Sequence, residues 1–301
     1  MSLPPPIFIL ASPRSFTSLV CAMLGQHPEL YGVPELNLFV AETMEQLLQR
    51  FKGVLQFQLH GLLRTVAQLY AGEQTMLSIE MARRWNLNRL DRSTGEVYAE
   101  LCQKVTPLRI VDKSPAYPIN PEALERIKNT FPDACYLHLI RHPKTQGESV
   151  MKIAGGMMAK AVDSFDYSTQ PPTLDPQYAW YKTQSNILEF LSKVPSSQQR
   201  RFRGEDVLGN PRLHLEQISK WLGISWNESI LEAMLRPQDS PYAYLGPYGA
   251  TLGNDPNFLK SPIFKQRKIL PSSLEGALPW RQDGKGFIPY VFKLAQDFGY
   301  S

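Results

Sequence analysis

The chain has 301 residues, 32 basic and 28 acidic, and a formal net charge of +4. That length buries a full core as one large α/β domain or two small ones, and so small a basic excess suits an anion in a local pocket better than a nucleic-acid surface. No apolar stretch reaches membrane-spanning length, no secretory signal opens the chain, and Cys21, Cys102 and Cys135 fit no zinc spacing, so they read as free thiols in the reducing cytoplasm.

Residues 1–6 read as a tail, with Met1-Ser2-Leu3 as a cloning remnant and three solvated prolines after it. A single domain over 7–301 follows. IFILA at 7–11 is the first predicted strand, followed by a helix through Leu24 and a turn at Gly25-Gln26-His27-Pro28. Apolar residues recur at helical spacing over 41–52 and 59–70, and a further helix is predicted from Gly95 to Val105. LRIVDK at 108–113 and CYLHLI at 135–140 are the second and third predicted strands, with helices over 121–129 and from Pro143. The Gly-, Pro- and Ser-rich residues 155–175 read as a long loop, and a helix covers about 177–193. RRFR at 200–203 is the densest basic run, and the helix after it ends at Gly223. Residues 236–268 hold many Pro, Gly and Tyr and read as an extended, mobile lid facing substrate. The β–α alternation predicts an α/β fold, with a P-loop-like central parallel β-sheet flanked by helices on both faces.

Two segments carry chemistry. Ser12-Pro13-Arg14-Ser15-Phe16-Thr17-Ser18 joins the first strand to a helix N-terminus, where unpaired N–H groups and the helix dipole attract anions. Arg14 adds a planar fork, and Ser15, Thr17 and Ser18 add hydroxyl donors. A nucleotide-triphosphatase P-loop, GxxxxGK[ST], is the competitor, but neither Gly nor Lys stands between Ser12 and Ser18. The second segment is LIRHPKTQGES at 140–149, which puts Arg141 at a strand's carboxyl end and Ser149 about two turns into the next helix. The plainer alternative makes Arg141 a surface ion-pair partner and His142 a cap.

The first loop resembles the 5′-phosphosulfate loop of sulfotransferases, PRSGT[TS], with Phe16 in place of its glycine. A bulky residue there tolerates positive φ poorly. Arg141 and Ser149 keep the spacing of that family's 3′-phosphate site. Residues 201–224 resemble its RYEDL…P…L…FLG segment, with Glu205, Asp206, Pro211, Trp221, Leu222 and Gly223 in register and Gly204 where an aromatic is usual. Residues 255–280 are similar to the C-terminal loop of bacterial and polyketide-associated members.

The resemblance implies an enzyme using 3′-phosphoadenosine 5′-phosphosulfate (PAPS), without a metal, to sulfate a hydroxyl of a small acceptor. It assigns donor contacts to Arg14, Ser15, Phe16, Thr17, Ser18, Arg141 and Ser149, with Lys265 and Arg267 of the C-terminal loop as further contacts. Lys113, in VDKSP, is implied as the cation on the leaving oxygen, beside Arg14. Glu35 is implied as the base, in apolar surroundings from Leu36, Leu38 and Phe39, ahead of the five histidines. Tyr242, Tyr244, Tyr248 and Phe258 suggest a hydrophobic acceptor, or else belong to the core. A nucleotide kinase and a non-catalytic nucleotide-binding module are the competing functions.

Overall fold

The computed structural model describes residues 3–266 and 272–301. Five strands, β1 (Ile7–Leu10), β2 (Leu30–Gly32), β3 (Arg109–Asp112), β4 (Cys135–Ile140) and β5 (Gln199–Arg203), pair in the order β2-β3-β1-β4-β5, all parallel. The principal helices are α1 (Thr17–Leu24), α2 (Met44–Arg50), α3 (His60–Ala71), α4 (Met76–Leu87), α5 (Thr94–Val105) and α6 (Pro121–Thr130). They continue with α7 (Pro143–Met151), α8 (Pro176–Leu191), α9 (Pro211–Leu222), α10 (Glu228–Met234) and α11 (Pro289–Asp297).

Side chains along β1 alternate between two cores, as the two-residue period of a strand requires. Ile7 and Ile9 join Val20 and Leu24 of α1, Leu215 and Ile218 of α9, and Ile230 of α10. Phe8 and Leu10 face the other way, onto Leu62 and Val66 of α3, Val97 and Leu101 of α5, and Ile187 of α8. On that side Tyr98 stacks near Phe8 and Phe39, with ring centroids 5.4 and 5.1 Å apart. Burial of β1 on both faces explains its unbroken apolar run, and helices cover the sheet on both sides as expected. Local signals set the helix ends. Ser93 and Glu96 form a capping box at the start of α5, and Gly223 ends α9 in the left-handed conformation, at φ 67°.

Five of these elements escaped the sequence reading: β2, β5, α4, α10 and α11. β2 has only three residues. β5 is an edge strand whose Arg200 and Arg201 are exposed, so it lacks an apolar pattern. In α4, exposed Met76, Leu77 and Leu87 blur the stripe that marks an amphipathic helix.

Two expectations about loops are corrected. Residues 155–175 are not one long loop: they hold a helical turn, Met157–Ala161, and a two-stranded ribbon, Phe165–Asp166 with Thr173–Leu174. Buried Arg281 pins this stretch, with Nη1 on Asp175 at 2.6 Å and Nη2 on Asp166 at 2.7 Å. The segment expected to form the lid is tied down to α3 and α4. Buried Arg64 of α3 donates to the Leu252 and Tyr244 carbonyls at 3.0 and 2.9 Å, and Arg83 of α4 donates to the Gly249 carbonyl at 2.8 Å. Tyr242 and Phe258 are core residues, whereas Tyr244 and Tyr248 are exposed.

Candidate active site

From β3 the chain crosses β1 to reach β4, so the connections diverge at the carboxyl ends of the neighbouring strands β1 and β4. Ligands of open parallel sheets bind at such a switch point. The loop leaving β1 carries Arg14 at φ 68° and Phe16 at φ 64°. Each non-glycine residue in this left-handed region is strained by roughly 1–2 kcal/mol, so the surroundings must hold the loop in shape. They do so through its acceptors. Gln146 Nε2 donates to the Pro13 carbonyl at 2.8 Å, Arg141 Nη1 to the Arg14 carbonyl at 2.6 Å, and Gln184 Nε2 to Ser12 Oγ at 3.0 Å.

With its carbonyls turned away, the loop points its donors the other way. The backbone N–H groups of residues 14–19 have no partner among the described residues, and Ser15 Oγ is buried and unpaired. Successive N–H groups around left-handed residues can make a concave nest for an anion, and here Arg14 and Phe16 place such a run at the start of α1. Sequence reasoning doubted Phe16 in this turn. The structure puts it there in the left-handed conformation, at φ 64° and ψ 10°.

The two electropositive corners meet in one site. Arg14 Nε donates to Ser149 Oγ at 3.2 Å, and Arg141, bonded to the Arg14 carbonyl, also donates to Thr145 Oγ1 at 3.1 Å. Burial lowers the pKa of Arg141 from its ordinary value, yet a guanidinium stays cationic. The reading of Arg141 as a surface ion-pair partner therefore fails. His142 does cap α7, its Nδ1 accepting the Lys144 N–H at 3.1 Å.

Opposite this corner, Lys113 Nζ sits 2.7 Å from Glu35 Oε1 and donates to Ser18 Oγ at 3.0 Å. The Lys113 side chain is 0% exposed and that of Glu35 25%, so apolar surroundings do not seal the carboxylate, contrary to expectation. Three contacts fix this pair. The Asn37 N–H donates to Ser114 Oγ at 3.0 Å, the Glu35 N–H to the Gly253 carbonyl at 2.7 Å, and a Cβ on Gly61 of α3 would stand 2.0 Å from the Glu35 carbonyl oxygen. Glycine at 61 is what lets α3 approach so closely. Beneath Lys113, burial raises the Asp112 carboxyl to about 6, against hydrogen bonds from Ser114 and Tyr117.

One participant was missed. Asp255, in the lid, forms an ion pair with Arg14, and its N–H donates to Ser18 Oγ at 3.1 Å. Sequence offered only an Asp-Pro pair that begins a helical turn, with nothing to join it to a loop some 240 residues away. Lys265 does not join the cluster: it is exposed and makes no hydrogen bond or ion pair among the described residues. Arg267 and Lys268 lie outside the described residues. His60 Nδ1 accepts the Leu252 N–H at 3.2 Å, and His27 accepts from Glu29, so both have structural work.

Burial also holds two histidines neutral, lowering His142 to about 4 and His138 to about 3. Both lie below the ordinary histidine value near 6.5, so the folded chain binds fewer protons than the unfolded one on acidification. Stability from this source is complete above about pH 6.5 and is lost as pH falls from there toward the folded values, below which it levels off. We expect the unfolding free energy to drop by about 1.4 kcal/mol per histidine per pH unit between pH 6 and 4.5. Urea titrations of wild type and His142→Asn measure this, and the variant should show the smaller slope.

Among the described residues, no group of three His, Cys, Asp or Glu side chains is placed to hold a metal ion, and no helix is long and apolar enough to cross a membrane. No curated protein sequence matches the chain. Among solved structures it is similar to a sulfotransferase domain from the curacin biosynthetic pathway, with 28% identity and a TM-score of 0.75 over 100% of this chain and 99% of that one. It is also similar to the sulfotransferase domain of the Synechococcus PCC 7002 olefin synthase, with 26% identity and a TM-score of 0.76 over 99% of this chain and 95% of that one. The profile described as "Sulfotransferase family" matches residues 5–228, a span that takes in the anion nest, Glu35, Lys113, Arg141 and Ser149. The chain belongs to the sulfotransferase family.

Proposed function

We propose that the protein transfers a sulfuryl group from PAPS to a hydroxyl of a small, apolar acceptor. The observation that carries this reading is the run of unpartnered N–H groups over residues 14–19, with the unpaired Ser15 hydroxyl beside them. Unpartnered donors are rare in a fold, and a run of them beside a buried, unpaired hydroxyl fits a multiply charged oxyanion. When bound, the donor supplies the sulfuryl group, and its two phosphate-bearing ends match the two cationic corners. The nest, Arg14 and the Thr17 and Ser18 hydroxyls hold the 5′ end, while Arg141 and Ser149 hold the 3′-phosphate. A kinase reading gains nothing from this loop, which has no lysine.

Glu35 takes the acceptor proton, and Lys113 neutralises the leaving oxygen. Their 2.7 Å contact couples the two tasks. A proton arriving on Glu35 weakens its hold on Lys113 and leaves that ammonium free to follow charge onto the donor. The exposed Tyr244, Leu245 and Tyr248 give the lid an apolar outer surface, and one similar domain belongs to an olefin synthase, so an apolar alcohol is the acceptor class we favour.

The test is a mass-spectrometric screen of alcohols with PAPS, beside melting curves with adenosine 3′,5′-bisphosphate and with ATP–Mg²⁺. Sulfated product and stabilisation by the bisphosphate alone are expected. Stabilisation by ATP–Mg²⁺ alone would revive the kinase, and bisphosphate binding without sulfated product would support a non-catalytic module.

Asp255 supplies a further prediction. Its carboxylate holds Arg14, the same guanidinium the donor needs. Asp255→Asn should tighten bisphosphate binding by about fivefold, the worth of one partly exposed ion pair. Calorimetry reads this directly, and weaker binding would instead mean that Asp255 aims Arg14.

A further inference from the structure

The two departures from the family's motifs, Phe16 for glycine and Gly204 for an aromatic, touch each other. A Cβ built on Gly204 would stand 2.6 Å from Phe16 Cδ2, so the Phe16 ring lies in the space that a side chain at 204 would enter. On the Arg141 side, the guanidinium carbon is 4.3 Å from the Phe16 ring centroid. The ring is thus wedged between the start of the helical turn Gly204–Gly209 and the cation of the 3′-phosphate corner. Arg141 Nε and Nη1 are taken by Thr145 Oγ1 and the Arg14 carbonyl. The π face adds a third constraint and holds the fork in one plane.

We propose that Phe16 is a positioning residue for Arg141, its ring brought in from the phosphosulfate loop to make up for the side chain absent at 204, and that Gly204 is required because the ring is there. The proposal rests on the donor reading above and deepens it at the 3′-phosphate. The loop residue keeps its strained φ of 64° because the ring, and not the turn alone, is needed at that place. Selectivity for a 3′-phosphorylated nucleotide then depends on a side chain that touches the cation and need not touch the phosphate.

The experiment compares adenosine 3′,5′-bisphosphate with 5′-AMP, which lacks only the 3′-phosphate, by calorimetry on wild type, Phe16→Leu, Gly204→Ala and the double variant. Phe16→Leu keeps bulk and loses the π face. It should weaken bisphosphate binding about tenfold and 5′-AMP binding less than about twofold. Gly204→Ala pushes on the ring and should weaken the bisphosphate selectively. In the Phe16→Leu background the same alanine should have little further effect, a coupling that a general loss of fold would not produce. Equal weakening of both nucleotides by Phe16→Leu, or additive effects in the double variant, would overturn the proposal while leaving the donor reading intact. Wild type binding the two nucleotides equally would remove the donor reading, and this proposal with it.

Discussion

Glu35→Gln should lower kcat by about a thousandfold, within the ~10²–10⁴ range of a lost general base, and leave adenosine 3′,5′-bisphosphate binding unchanged. The expectation follows from geometry. Glu35 touches Lys113 and no residue of the anion nest, so its charge is not needed to hold the nucleotide. The amide oxygen of glutamine can still accept from Lys113, which avoids leaving a fully buried ammonium without a partner. A melting curve close to that of wild type, together with single-turnover rates of sulfate transfer, separates lost chemistry from lost fold. Full activity in Glu35→Gln would move the base elsewhere, with His60 the next residue to test.

Arg141→Ala should raise the bisphosphate Kd on the order of 10²-fold, because a charge-assisted pair in a desolvated corner is lost. Arg14→Ala should weaken both the bisphosphate and 5′-AMP, since its guanidinium faces the nest and the lid carboxylate as well as Ser149. Arg141→Ala should weaken 5′-AMP far less than the bisphosphate, because only its bond to the Arg14 carbonyl bears on the nest. This contrast is readable by calorimetry and assigns each arginine to one end of the nucleotide. Identical losses in the two variants, for both ligands, would deny the assignment.

What the sequence made legible was local. A strand buried on both faces reads as an apolar run, and the turn after it displays Arg14 and three hydroxyl-bearing residues, on which the expectation of an anion site rests. Arg141 and Ser149 were recognisable by their spacing on one strand and one helix. Contacts made across the fold were not legible. That Arg14 would reach Ser149, that Asp255 would return from the lid to pair with it, and that Phe16 would fill the hollow at Gly204 are results of β1 and β4 lying side by side. Tyr242 and Tyr244 illustrate the same limit, since two aromatics two positions apart are core and surface respectively. The edge strand β5 escaped because it owes its place to hydrogen bonding with β4 and not to a face of apolar side chains.

The central claim is that the unpartnered N–H groups after β1 and the Arg141–Ser149 corner after β4 bind a single nucleotide. A crystal structure with adenosine 3′,5′-bisphosphate tests it most directly. The account predicts the 5′-phosphate in the nest of residues 14–19, with Asp255 displaced from Arg14, and the 3′-phosphate on Arg141 and Ser149. A nucleotide bound with either corner untouched would contradict it.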